Sequence, residues 1–169
     1  TSLVKSAYRL SSTVKARNLP YRYSGTYQPL PRGDSVNEQT LKRVLMAEIK
    51  KGLPTSVALR HEDRFTSGIP DISVSLNGKT SWWEVKVADP SCRSKEIQKH
   101  LCRRLNAESF CRYVIYRRGL PKGKRPPQII IVPPLEFERW QDAGIVVAEK
   151  KFNHASVVLY MAQIHGVTS

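Results

Sequence analysis

Hydrophobic positions recur with two different periods along the chain, and each period predicts a type of element. Residues 34–52, DSVNEQTLKRVLMAEIKKG, begin with acidic and capping residues and end with two lysines before a glycine. That polarity is typical of a helix. Leu41, Leu45 and Ile49 recur at helical spacing and predict its buried stripe. The same spacing predicts a second helix over about residues 94–109.

Shorter apolar stretches predict strands, because they are brief, rich in β-branched residues and bounded by turn residues. In chain order they lie within residues 55–65, 68–76, 79–88, 111–118, 126–134, 145–151 and 155–163. The predicted order is α-β-β-β-α-β, then a further strand, a short amphipathic segment and extra C-terminal strands. This order predicts one α/β or α+β domain, with a central mixed β-sheet flanked by helices.

The N-terminal part of the chain differs from the rest in composition. Residues 1–33 mix Ser, Tyr, Pro and Arg without a steady period and carry six basic side chains and no acidic one. We expect a basic flexible arm here and a single domain over residues 34–169. The arm's composition suits a remnant of a targeting segment and equally suits an arm that binds nucleic acid, so both interpretations stay open.

The net charge of the chain indicates what kind of molecule it binds. The 169 residues hold 28 Lys and Arg against 14 Asp and Glu, a net charge of +14. Such an excess favours a polyanionic partner. No apolar run approaches the roughly 18–20 residues that cross a bilayer, so no membrane partner is expected. An odd set of three cysteines, at positions 92, 102 and 111, favours a reducing intracellular compartment and lacks the paired spacing of zinc ligands.

The stretch GIPDISVSLNGKTSWWEVKVA, residues 68–88, predicts a hairpin whose register can be counted. Asn77-Gly78 is a strong signal for a two-residue turn. If these two residues form the loop, counting outward places Asp71 opposite Glu84, and Lys86 then projects from the same face. Two carboxylates with Cβ atoms about 4.5–5.5 Å apart destabilise a hairpin unless something lies between them.

A divalent cation would resolve this conflict, since Mg²⁺ is bound through one or two carboxylates. Lys86 would then orient or deprotonate a water, or stabilise charge on a phosphate. Glu38, on the buried side of the first helix, would supply a further acid. The structural alternative is a surface hairpin whose outer face holds acids, with Lys86 as an ordinary salt link.

Pro70-Asp71 followed by Glu84-Val85-Lys86 resembles the PD-(D/E)xK signature of the restriction-endonuclease-like nuclease superfamily. With the helix before it and SKEIQKHL after it, the stretch is most similar to the branch of virus-type replication-repair nucleases and archaeal-type Holliday junction resolvases. The similarity covers about residues 36–118 and implies a restriction-endonuclease-like core. The elements that surround the motif carry much of the comparison.

The resemblance implies roles for named residues. Asp71, Glu84 and the Val85 carbonyl would bind Mg²⁺, with Mn²⁺ as a substitute, and Lys86 would position the nucleophile. Gln98 falls where this branch often has a glutamine on the following helix. Glu38 would be the helix acid, with Glu48 as the alternative.

The resemblance implies a metal-dependent endonuclease acting on DNA, with branched DNA or a Holliday junction as its expected substrate. A homodimer is a further possibility, since resolvases that cut symmetrically are usually dimers. The compartment would be the cytoplasm or nucleoid of a microbe or a virus-infected cell, with an organelle still open. The alternatives are a catalytically silent nucleic-acid-binding module on the same fold and a basic RNA-associated structural protein.

Two basic groups are candidates for contact with a phosphate backbone. One precedes or lines the second helix, and the other occupies the loop after the fourth predicted strand. The first consists of Arg93, Lys95 and Lys99, and the second of Arg117, Arg118, Lys122, Lys124 and Arg125. Simple solvation of these side chains is the alternative.

Overall fold

The computed structural model describes residues 37–62, 68–89, 91–120 and 124–167. The predicted arm, residues 1–33, and Lys122 therefore lie outside the described residues. The helices are α1 (Glu38–Gly52), α2 (Glu96–Glu108), α3 (Trp140–Ala143) and α4 (His154–Ile164), with a 3₁₀ helix over Pro134–Arg139. The strands are β1 (Val57–Arg60), β2 (Ile72–Leu76), β3 (Lys79–Ala88), β4 (Phe110–Arg117), β5 (Gln128–Val132) and β6 (Ile145–Glu149).

The strands form one six-stranded sheet in the order β1-β2-β3-β4-β5-β6. Among the described strands, only β3 and β4 pair in parallel, and α2 connects them. The other neighbours are antiparallel. The prediction of an α+β domain with a mixed sheet flanked by helices is confirmed at this level.

Successive side chains along a strand point to opposite faces, so the sheet has two cores. On one face, strand residues pack with α1 and α4 around Leu45, Trp83 and Met161. On the other face, they pack with α2, the 3₁₀ helix and α3 around Cys102, Tyr113 and Trp140. Among the helices within the described ranges, none is long and apolar enough to cross a membrane.

The predicted hairpin register is confirmed. Asn77 and Gly78 both have positive φ, 52° and 71°, as a two-residue turn of this kind requires. Leu76 pairs with Lys79, and the ladder continues outward to Ile72 opposite Trp83. Asp71 is one position beyond this last pair, at the level of Glu84.

The last predicted strand is wrong. Residues 155–163 belong to α4, which begins after Asn153 and buries His154, Val157, Val158 and Met161. That spacing follows a helical turn instead of alternation, because this segment packs against α1 and does not extend the sheet. The extra C-terminal elements are therefore one strand, β6, and one helix.

Candidate functional site

The site lies where β3 continues beyond the start of β2. β3 has 10 residues and β2 has 5, so residues after Trp83 have no partner on the β2 side of the ladder. Acidic side chains accept hydrogen bonds from the β3 N–H groups that have no strand partner here. The Val85 N–H donates to Asp71 Oδ2 at 2.8 Å, and the Val87 N–H donates to Glu38 Oε1 at 3.3 Å. Three elements, α1, the β2 entry and β3, therefore converge here.

Glu84 is the most deeply enclosed acid of the cluster. Its side chain is fully buried, with Lys86 and Asp71 nearly so. Lys86 Nζ lies 2.8 Å from Glu84 Oε1, and the Gln98 side-chain amide donates to the same oxygen at 2.9 Å. Glu84 Oε2 has no hydrogen-bond partner among the described residues. A buried carboxylate oxygen without a partner is costly and calls for an explanation.

The electrostatics of Glu84 and Lys86 are linked. Burial, reinforced by the nearby negative charge of Asp71, raises the pKa of Glu84 from 4.5 to about 7 despite the attraction of Lys86. Burial alone would lower the pKa of Lys86, but the charge of Glu84 and the hydrogen bond to it outweigh burial and raise that pKa. Lys86 is therefore charged at neutral pH, while Glu84 is poised between its two forms.

Gln98 connects the two members of this pair. Its amide nitrogen donates to Glu84, and its amide oxygen accepts from Lys86 Nζ at 3.4 Å. The oxygen also accepts from the Ser94 hydroxyl and the Lys95 N–H, each at 3.3 Å. These contacts at the first turn of α2 fix the amide, so Gln98 holds Glu84 in position from the opposite face of the sheet to α1.

Lys42 is a member of the cluster that the sequence reasoning missed. Its Nζ lies 2.6 Å from Asp71 Oδ1, and both side chains are only 12% exposed. A signal was available, because Lys42 comes four residues after Glu38 and must share its face of α1. The first helix therefore contributes one acid and one base to the site.

The structure brings Glu38 to β3, whereas Glu48 lies ten residues further along α1, about 15 Å at the rise of a helix. On the other side of the cluster, His61 lies half-buried beside Asp71. Its backbone N–H donates to the Asp71 carbonyl at 2.8 Å. Its ring stacks on Trp82 with centroids 5.5 Å apart, and its Nε2 is 2.9 Å from the Ser73 hydroxyl. Trp82 also packs against the second core.

The residues expected to contact nucleic acid fall into two groups. Arg93, Lys95 and Lys124 are exposed. The others have contacts within the protein. Lys99 pairs with Glu96 and Glu138, Arg117 lies over the Trp140 ring, Arg118 pairs with Asp89, and Arg125 donates to the Arg118 carbonyl.

Comparison with models of known protein families finds no match, and neither does comparison with curated protein sequences. Within the described ranges, no group of three or more His, Cys, Asp and Glu side chains is arranged to hold a metal ion. Any cation here would depend on two carboxylates together with backbone oxygen, water or phosphate.

Proposed function

We propose that this chain is a metal-dependent endonuclease that hydrolyses phosphodiester bonds in branched or otherwise structured DNA. The observation that carries the proposal is the confirmed hairpin register, which puts Asp71 beside Glu84 with Lys86 on the same face. The PD-(D/E)xK signature requires this arrangement of its residues. The choice of structured DNA rests on the resemblance, and the net charge of +14 supports a polyanionic substrate.

The donor set fits a hard divalent cation such as Mg²⁺ or Mn²⁺. Glu84 Oε2 is buried without a partner, and the negative charge of Asp71 is close enough to raise the pKa of Glu84. A strand residue directs its N–H and C=O to the same edge. Since the Val85 N–H meets Asp71, the Val85 carbonyl faces the same open edge of β3. Asp71, Glu84 and this carbonyl would hold the cation.

When bound, the cation supplies Lewis-acid stabilisation of the phosphate and promotes formation of the nucleophile. The protein residues supply position and charge. Gln98 orients Glu84. Lys86, charged at neutral pH because its pKa is raised, orients the attacking water and stabilises charge on the phosphate. Glu38 caps the Val87 N–H and so fixes β3 where the cluster forms.

A cleavage assay tests this function. The full chain is incubated with Mg²⁺, Mn²⁺ or a chelator and with supercoiled plasmid, a labelled four-way junction, a flapped duplex and a linear duplex. We expect cation-dependent cleavage that falls at least about 100-fold in Asp71→Asn and Lys86→Ala, the size of loss seen when key electrostatic groups are removed. Asp142→Asn, which removes an exposed acid of α3 outside the cluster, is the matched control and should retain activity.

The silent nucleic-acid-binding module is the second candidate, and one observation favours it. Each of the two carboxylates already contacts a lysine, Asp71 with Lys42 and Glu84 with Lys86, so the cluster also makes sense as a structural ion-pair network. Binding of the junction without cleavage under either cation would establish this alternative. Cleavage that survives Asp71→Asn would refute the assignment of the site.

A further inference from the structure

The pairing of Lys42 with Asp71 has a consequence for cation binding. Asp71 has both carboxylate oxygens occupied, Oδ1 by Lys42 at 2.6 Å and Oδ2 by the Val85 N–H at 2.8 Å. The backbone donor belongs to the sheet edge, whereas the lysine is a flexible side chain that can leave. Lys42 Nζ is therefore the partner of Asp71 that an incoming cation can replace.

We propose that Lys42 is a built-in counter-ion of the site, which a divalent cation displaces from Asp71 when it binds. This inference rests on the proposed function and extends it to a residue outside the PD-(D/E)xK signature. An ammonium and a divalent cation bound to the same Asp71 oxygen would repel each other at short range, so binding of one disfavours binding of the other. Lys42 therefore weakens cation binding. Once the cation is in place, the displaced ammonium group of Lys42 is available to the substrate.

The charges of the cluster agree with this role. Counted as ionised, the cluster holds three acids, Glu38, Asp71 and Glu84, against two bases, Lys42 and Lys86, so its net charge is minus one. A divalent cation raises the sum to plus one, and the displaced Lys42 remains within a side chain's length of the site. The net charge of the site thus changes from negative to positive when the cation binds, and the loaded form is the one that must attract a phosphodiester.

The competition between Lys42 and the cation for Asp71 is tested by measuring the Mn²⁺ affinity of the full chain by calorimetry, without nucleic acid. Lys42→Met should bind Mn²⁺ about tenfold more tightly than the wild type, equivalent to about 1.4 kcal/mol. Lys42→Arg keeps the charge and should bind within about threefold of the wild type. Lys50→Met removes an exposed lysine from the last turn of the same helix and should leave the affinity unchanged.

A second measurement uses the wild type alone, so it does not depend on whether a variant folds. The rate at which a lysine acylating reagent modifies each lysine is followed by mass spectrometry with and without Mn²⁺. Displacement should raise the rate at Lys42 several-fold and leave the rate at Lys50 unchanged. An unchanged rate at Lys42 when Mn²⁺ is bound would show that Lys42 stays on Asp71 and would overturn the proposal.

The two failures are distinguishable. If the wild type binds Mn²⁺ more tightly than Glu84→Gln but Lys42→Met matches Lys50→Met, the role of Lys42 is wrong and the cation site stands. If the wild type and Glu84→Gln bind Mn²⁺ equally, the carboxylates hold no cation. That result would remove the proposed function, and the role of Lys42 with it.

Discussion

The raised pKa of Glu84 predicts a specific dependence of stability on pH in the absence of divalent cations. The carboxyl group has a pKa of about 7 in the folded protein against an ordinary value of 4.5. A group whose pKa is higher in the folded state favours folding while it is protonated. Its contribution is therefore complete below about pH 4.5 and is lost as the pH rises through 7.

The size of this contribution follows from the pKa difference. At 1.36 kcal/mol per pKa unit, the full effect is about 3 kcal/mol, and most of it is lost between pH 5 and pH 8. No reduction for solvent screening applies, because the Glu84 side chain is 0% exposed. The loss is large beside the 5–15 kcal/mol that typically stabilises a folded domain.

The reference protein for this measurement is Glu84→Gln/Lys86→Met, which removes the buried acid and its partner together and leaves no unpaired charge. Urea unfolding followed by tryptophan fluorescence in a chelating buffer gives the free energy of unfolding at pH 5, 6, 7 and 8. The wild type should lose about 2–3 kcal/mol relative to the double variant over this range. A difference that stays constant to within about 0.5 kcal/mol would refute a raised pKa at Glu84.

Three further predictions concern residues away from the carboxylates. Ser81→Ala should lower the free energy of unfolding by about 1–3 kcal/mol in urea, since it leaves the buried Trp83 indole N–H and His165 Nε2 without the hydroxyl that lies 2.8 Å from each; a loss below 0.5 kcal/mol would contradict this. Gly144→Ala should cost about 1–3 kcal/mol by the same assay, because an added Cβ would lie 2.3 Å from a β5 side chain, and an unchanged midpoint would show that the backbone adjusts. Lys124→Ala should reduce the slope of log affinity against log salt for DNA by about one, as measured by fluorescence anisotropy; an unchanged slope would place this exposed lysine outside the nucleic-acid interface.

The hairpin could be predicted because its register is local. A two-residue turn at Asn77-Gly78 sets every pair outward along both strands, so one short signal determines that Asp71 and Glu84 face each other. The position of Lys42 could not be counted in this way. Its contact with Asp71 depends on how α1 docks against the hairpin, which is a matter of tertiary packing between segments distant in sequence.

The error at α4 has a different cause. Val157, Val158 and their apolar neighbours have the composition of a strand, and a short apolar run does not reveal its period unless the buried positions are known. In the structure, the buried positions 154, 157, 158 and 161 follow a helical turn, because this segment covers α1 instead of joining the sheet. Packing against a helix overrode the β-propensity of the valines.

The location of the cluster follows from the unequal lengths of two paired strands. Because β3 extends beyond the start of β2, its N–H groups at Val85 and Val87 would be left without strand partners. Carboxylates are good acceptors for such groups, and Asp71 and Glu38 take this role. Asp71 accepts the hydrogen bond of the Val85 N–H and at the same time lies beside Glu84. The same side chain therefore pairs the strand edge and supplies a possible cation ligand. Extending β2 back by four residues, to Gly68, with ordinary strand pairing would satisfy the same N–H groups. It would, however, close the edge to which the Val85 carbonyl is directed.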